Sequence, residues 1–236
     1  MRRSFCISIV LAALSILRVA FLEAGVQRIW AVGDGERIEK FDLRHPLQAA
    51  NSVWDGEEIS IFGARNEILA FQIIVESDAE GINSLAASLP SLIHRSGSSR
   101  IDYMSPEPDP THYVGRPIQL FSVNYLYVAN PTKASWIYRD GPGAPKDPTG
   151  WKPVQLVPEN AIRGKGGFPL SVEPLQNQAI WIEVYTGRNR PAGIYDGTIQ
   201  LAIDGKEYAI PLSLKIFNFN LSERGFPGAF GHDAGP

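Results

Sequence analysis

Apolar and polar residues alternate along most of this chain with a period of two, the repeat of a strand that buries one face. Ile59 and Ile61 flank Ser60, and Leu69, Phe71, Ile73 and Val75 fall opposite Gln72 and Glu76. Between these two predicted strands, Gly63-Ala64-Arg65-Asn66-Glu67 must turn the chain or carry it from one sheet to another. Ile29–Val32 reads as a short first strand, followed by a polar stretch with Gly33-Asp34-Gly35 and an irregular segment from Lys40 to Trp54. Leu85–Leu89 is a further short strand, and Ser96–Gly115, with Pro106, Pro108 and Pro110, is a loop. Ile118–Val128 is a long strand with Phe121, Val123, Tyr125 and Tyr127 on one side. From Asn130 to Gln176 the alternation stops, and prolines and glycines surround isolated aromatics, so the pattern predicts irregular chain there.

The last third carries the clearest signal. Ile180, Ile182 and Val184 alternate with Trp181, Glu183 and Tyr185; Ile199, Leu201 and Ile203 alternate with Thr198, Gln200 and Ala202. Asp204-Gly205 then occupies a two-residue hairpin turn, and Ile210, Leu212, Leu214 and Ile216 resume the alternation. No stretch beyond the first residues keeps helical apolar spacing for three turns. The predicted fold is therefore mostly β: an antiparallel two-sheet β-sandwich, immunoglobulin-like or jelly-roll-like, with long irregular loops.

The first residues follow another rule. Arg2 and Arg3 precede an apolar run from Phe5 to Leu17, and Arg18 closes it. The run is shorter than the roughly 20 residues of a membrane-spanning helix, so residues 1–24 read as a cleaved export signal, with Leu22 and Ala24 before a cut near Gly25. This predicts a secreted or periplasmic protein with no lasting membrane anchor. Residues 25–221 form the expected sandwich domain, and 222–236, with Phe226-Pro227-Gly228, resemble a linker. The single cysteine, Cys6, lies within the signal, so stability must come from a core, for which the roughly 210 following residues suffice. A net charge of −3 without a basic cluster argues against nucleic acid as a partner.

Four motifs occur in an order that resembles a known family: Trp30-Ala31-Val32; Ala64-Arg65-Asn66-Glu67 leading into Phe71-Gln72; Asn177-Gln178-Ala179-Ile180-Trp181-Ile182; and Pro191-Ala192-Gly193-Ile194-Tyr195-Asp196-Gly197. Together they resemble the N-terminal β-sandwich region of bacterial proteins related to family 123 glycoside hydrolases. The resemblance implies a parent protein of N-acetylhexosaminidase type, in which the sandwich precedes a (β/α)₈ barrel bearing an adjacent Asp-Glu pair that performs substrate-assisted hydrolysis. No Asp-Glu dipeptide occurs in this sequence. The chain is accordingly expected to be a non-catalytic module that packs against and supports such a barrel. On their own chemistry, Pro191-Ala192-Gly193 sets a turn, Asp196-Gly197 suits a bend or bulge, and Arg65 and Glu67 suit a turn whose side chains satisfy backbone groups.

Other constellations are thin. His45, His94, His112 and His232 lack the spacing of metal ligands on one element, no serine sits in a Gly-x-Ser-x-Gly turn, and Gly164-Lys165-Gly166-Gly167 departs from a phosphate-binding loop. No catalytic residue, metal or cofactor is expected. Glu57, Glu58 and Asp140 are carboxylates without a visible partner. Sugars stack their C–H faces on aromatic rings, and Trp136, Tyr138 and Trp151 in the irregular stretch are the candidate carbohydrate-binding residues. They support an alternative function, a stand-alone carbohydrate-binding protein whose partner is a polysaccharide or glycan. Packing of the same aromatics against the sandwich or a barrel competes with that reading.

Overall fold

Twelve strands and no helix make up the described part of the molecule, which in this computed structural model comprises residues 25–130 and 149–222. The expected signal (1–24), most of the expected linker, Trp136, Tyr138, Asp140 and His232 lie outside the described residues. The strands are β1 (Val26–Gly33), β2 (Ile59–Arg65), β3 (Ile68–Ser77), β4 (Ile82–Ser88), β5 (Ser91–His94) and β6 (Arg100–Asp102). They continue as β7 (Ile118–Val128), β8 (Gly150–Pro158), β9 (Leu170–Val172), β10 (Asn177–Tyr185), β11 (Gly193–Ile203) and β12 (Lys206–Asn220). One sheet has the order β1-β3-β10-β7-β8; the other runs β2-β12-β11-β4-β9, with β5 and β6 attached beside β11. The mostly β sandwich predicted from alternation is the observed fold.

Three features depart from the sequence reading. The pairing of β2 with β12 is parallel, Ile59 opposite Leu212 and Gly63 opposite Ile216, so the second sheet is mixed rather than antiparallel. Asp196-Gly197 makes no bulge, since β11 pairs with β12 without a register shift from Gly193–Ile216 to Ile203–Lys206. Gly197 is instead a close approach: a Cβ there would lie 2.7 Å from the Ser91 carbonyl oxygen. Finally, the stretch read as irregular contains β8 and β9, and the loop after Ser96 contains β6. β8 pairs only with β7 and carries Pro153 and Pro158, a composition that a sheet edge tolerates and an alternation search misses.

The main core lies between the sheets. Phe71, Ile73 and Val75 of β3 align with Ile182, Ile180 and Gln178 of β10, while Ile199, Leu201 and Ile203 align with Ile210, Tyr208 and Lys206 across the hairpin. The isoleucines and leucines of these rows, with Leu120, Leu212 and Leu214, are almost fully buried in one cluster. The hairpin turn has φ of 48° at Asp204 and 82° at Gly205, the positive pair a two-residue turn of this twist demands. The Asp204 carboxylate accepts hydrogen bonds from the backbone N–H groups of Asn83 and Ser84, tying the turn to β4.

The first sheet also buries its other face. Trp30, Ile74 and Ala179 share that side with Gln72, Glu76 and Asn177, and all six are inaccessible or nearly so. The segment from Asp34 to Trp54 lies over them: Gln72 Nε2 donates to the carbonyls of Gly33 and Glu36, Asn177 Nδ2 to those of Glu39 and Asp42, and Asn51 Nδ2 to that of Ala31. Ile38 is fully buried within this smaller core. The polar residues of β3 that alternation assigns to solvent therefore serve as anchors for an overlying chain, as buried polar groups must have partners.

Candidate functional site

The Ala64-Arg65-Asn66-Glu67 motif forms the crossover from β2 in one sheet to β3 in the other, and its side chains bond backbone groups and neighbouring side chains. Asn66 has φ of 62°, a left-handed conformation that asparagine tolerates. The Glu67 carboxylate accepts from the Ala64 N–H at 2.6 Å, and the buried Thr186 hydroxyl accepts from the Glu67 N–H at 3.0 Å and sits 2.8 Å from the Ala64 carbonyl. The same turn grips the end of β12. Leu221 donates its N–H to the Arg65 carbonyl at 2.9 Å, its carbonyl accepts from Asn66 Nδ2 at 3.0 Å, and Arg65 donates to Asn218 Oδ1. Tyr185 donates its hydroxyl to Asn66 Oδ1, holding that amide in place. The end of β12 is thus held to the β2–β3 turn by three hydrogen bonds.

Beside this end of β12 lies an aromatic face. β12 outlasts β11 at Ile216 and runs on to Asn220, and its outward residues Lys215, Phe217 and Phe219 stand next to Phe62 of β2. Phe62 and Phe217 meet edge to face with centroids 5.7 Å apart, Phe217 and Phe219 stack at 6.1 Å, and the Lys215 ammonium lies 5.2 Å from the Phe217 ring. Phe62 is 67% exposed and Phe219 54%. Arg65 Nε, in the turn beside it, is buried without a hydrogen-bond partner. Neither the exposure nor the grouping of these rings was legible in the sequence, because Phe62 and Phe217 lie 155 positions apart and only the parallel pairing joins them.

Of the three candidate sugar-binding aromatics, only Trp151 is described. It lies on β8 opposite Tyr127 of β7, with centroids 5.6 Å apart and the rings inclined at 64°. The Lys40 ammonium sits 4.2 Å from the indole centroid, so a cation already stacks on this ring. Tyr127, read from the sequence only as a strand residue, is the more exposed of the pair.

The Pro191–Gly197 motif is structural. Tyr195 is fully buried and donates its hydroxyl to the Pro191 carbonyl, while His94 packs edge-on against its ring and occupies the space a side chain at Gly193 would need. The exposed Arg95–Asp196 pair, 2.7 Å apart, holds the Asp196 carboxyl below the usual range through its hydrogen bond. A buried group sits elsewhere: Arg116 donates to Glu159 at 2.7 Å and to the Met104 carbonyl, and Tyr103 donates to the other Glu159 oxygen. Burial, then the Glu159 charge, pushes the Tyr103 hydroxyl up to about 12. These groups tie both ends of the 103–116 loop to Glu159, and Tyr113 within it packs edge-on against Phe121.

Two clefts remain. One of about 700 Å³ opens between the β1 and β2 edges, lined by Leu47, Val53, Ile61 and Leu69 with Asp34, Glu36 and Glu67 at its rim. A polar one of about 230 Å³ is lined by Asn83, Asn124, Arg163, Ser171 and Gln178. Glu57 and Glu58 lie in a turn where their N–H groups bond Asp55, and His112 pairs with Glu107 on the surface. Among the described residues no three histidine, cysteine or carboxylate side chains gather as a metal site.

No family model and no curated protein matches the chain. Among solved structures it is similar to a family 123 glycoside hydrolase from Clostridium perfringens, at 17% identity and a TM-score of 0.48 over 70% of this chain. The match spans 23% of that hydrolase chain. It is also similar to the CooA pilin subunit of enterotoxigenic Escherichia coli (15% identity, TM-score 0.29, 68% of this chain and 88% of that one). CfaE, the adhesive subunit of CFA/I fimbria of the same organism, matches at 9% identity and a TM-score of 0.27, over 68% of this chain and 45% of that one.

Proposed function

We propose that this chain is a non-catalytic β-sandwich module of an exported glycoside hydrolase-like protein, docked by its Phe62–Phe217–Phe219 face against a barrel domain that follows it. The observation that carries the reading is the coincidence of that aromatic face with the end of β12, where Leu221 is hydrogen-bonded to the β2–β3 turn. A sheet face with three adjoining rings is costly to leave in water, and a covalently attached neighbour leaving from the same edge covers it at little entropic cost. The four-motif resemblance supplies the kind of neighbour. Lys215 at the margin favours an opposing surface that presents a carboxylate beside apolar side chains.

The reading is tested by following the gene past Pro236 and producing the longer product. A barrel with an adjacent Asp-Glu pair should unfold together with the sandwich in one transition, and Phe62→Ser with Phe219→Ser should split that transition in two. A stop codon directly after Pro236 overturns the module reading. The chain by itself should show no turnover of β-linked N-acetylgalactosaminides; turnover lost on mutating one of its own carboxylates overturns the non-catalytic assignment.

A second reading, glycan binding, is favoured by the exposed Tyr127–Trp151 pair. It requires an oligosaccharide to displace Lys40 from the indole, so Lys40→Ala should tighten binding and Trp151→Ala abolish it in calorimetric titration. Equal binding by all three chains removes Trp151 from the site; Trp136 and Tyr138 are then replaced in turn.

A further inference from the structure

The smaller core holds a carboxyl group that neither reading uses. Glu76 has no accessible surface. Its Oε1 accepts from Trp30 Nε1 at 2.8 Å and from Gln48 Nε2, while Oε2 is buried without a partner. Directly opposite it in the β3–β10 ladder stands Asn177, also buried, whose Oδ1 has no partner either. The amide of Asn177 cannot be turned over to solve this, because its nitrogen already donates to the carbonyls of Glu39 and Asp42 and a flip would set oxygen against both. Two cross-strand residues thus each retain an acceptor atom, and a single proton placed on one satisfies both.

We propose that Glu76 is a neutral carboxylic acid in the folded protein, its Oε2–H donating to Oδ1 of Asn177, and that this bond is a pH-sensitive latch holding the 34–54 segment to the sheet. Gln48 and the carbonyls of Glu39 and Asp42 all belong to that segment, so the Glu76–Asn177 pair is the point at which it is fastened. Burial, the largest influence, raises the affinity of Glu76 for its proton; Arg28 and the hydrogen bonds from Trp30 and Gln48 oppose it, and Asp42 adds to it. The other ionisable groups of the overlying segment are Asp34, Glu36, Arg37, Glu39, Lys40, Arg44 and His45, the last stacked on Trp30, and Lys152 of β8 pairs with Glu39. The Arg28 guanidinium is engaged by Gln48 Oε1 rather than by Glu76. When the proton leaves to solvent, a buried carboxylate oxygen faces an amide oxygen, and the segment lifts. Because Asp34, Glu36, Leu47, Asn51 and Val53 form one wall of the 700 Å³ cleft, the latch also sets the width of that cleft.

The sign follows from linkage: a carboxyl whose affinity for its proton is raised by folding stabilises fully below the unfolded range and ceases to do so as pH rises through the folded value. The folding equilibrium constant of the 236-residue chain should fall at least ~10-fold from pH 5 to pH 9 through this group. Glu76→Gln keeps an acceptor for Trp30 and Gln48 and a donor for Asn177, so its urea midpoint should be level over that interval, and amide exchange in residues 37–48, corrected for intrinsic rate, should lose its pH dependence. A slope that persists in Glu76→Gln assigns the titration to another group and overturns the proposal. Carbon-13 labelling of the glutamate carboxyls provides a check that needs no variant: a Glu76 signal of the ionised form at pH 6 overturns it as well.

Discussion

Thr186 has no accessible surface, and its hydroxyl accepts the Glu67 N–H at 3.0 Å. Replacing it with valine keeps the volume but leaves that donor buried without its partner, so Thr186→Val should lower stability by about 1–3 kcal/mol in urea denaturation. Gly205 is the opposite case. Nothing stands within 4 Å of where its side chain would be, yet its φ of 82° disfavours a β-branched residue. Gly205→Val should therefore cost about 1 kcal/mol or more through backbone strain alone, and Gly205→Asn distinctly less, read as a shift in denaturation midpoint at unchanged slope. The Arg95–Asp196 pair is roughly half exposed on both sides, and Arg95→Ala should leave the denaturation midpoint nearly unchanged, the more so in high salt. At this scale the sequence was read correctly where a residue acts on its own neighbours, as at Asp204-Gly205, and incorrectly where the reason lies across the sheet. Gly197 looked like a bend because glycine in a strand often marks one; its actual cause, the Ser91 carbonyl, belongs to β5 and leaves no trace in the local pattern.

Strands that bury one face and pair with sequence neighbours were legible as elements: Ile118–Val128 coincides with β7, and the β11–β12 hairpin was placed by its alternation and turn. β3 and β8 show the two ways in which the period fails. β3 is buried on both sides, and its polar positions Gln72 and Glu76 mimic a solvent face while anchoring the 34–54 segment. β8 is an edge strand with exposed Val154 and Leu156 and two prolines, so it has neither a buried row nor a polar one to display. The aromatic face was illegible for a related reason, since an outward Phe on β2 and two on β12 look unexceptional until the two strands are laid side by side. Because these rings lie outside the core, Phe62→Ser with Phe219→Ser should leave the thermal midpoint of this chain within a few degrees of the parent's. A large fall would show that the face supports the sandwich itself.

At the scale of the whole molecule, the parallel seam between β2 and β12 has a consequence for how the protein is made. Arg65 and Asn218, which meet across that seam, are 153 positions apart, and most of the chain must be synthesised before either can find the other. A growing chain halted after Gly205 on the ribosome contains eleven of the twelve strands, yet lacks the one that joins β2 to β11 and would leave Ile199, Leu201 and Tyr195 without their cover. Such a nascent chain should be digested as readily as an unfolded one in pulse proteolysis, whereas a chain released after residue 222 should resist. Non-local closure of this kind delays folding until synthesis is nearly complete, so the polypeptide stays threadable through most of its own translation, as the export proposed for it requires.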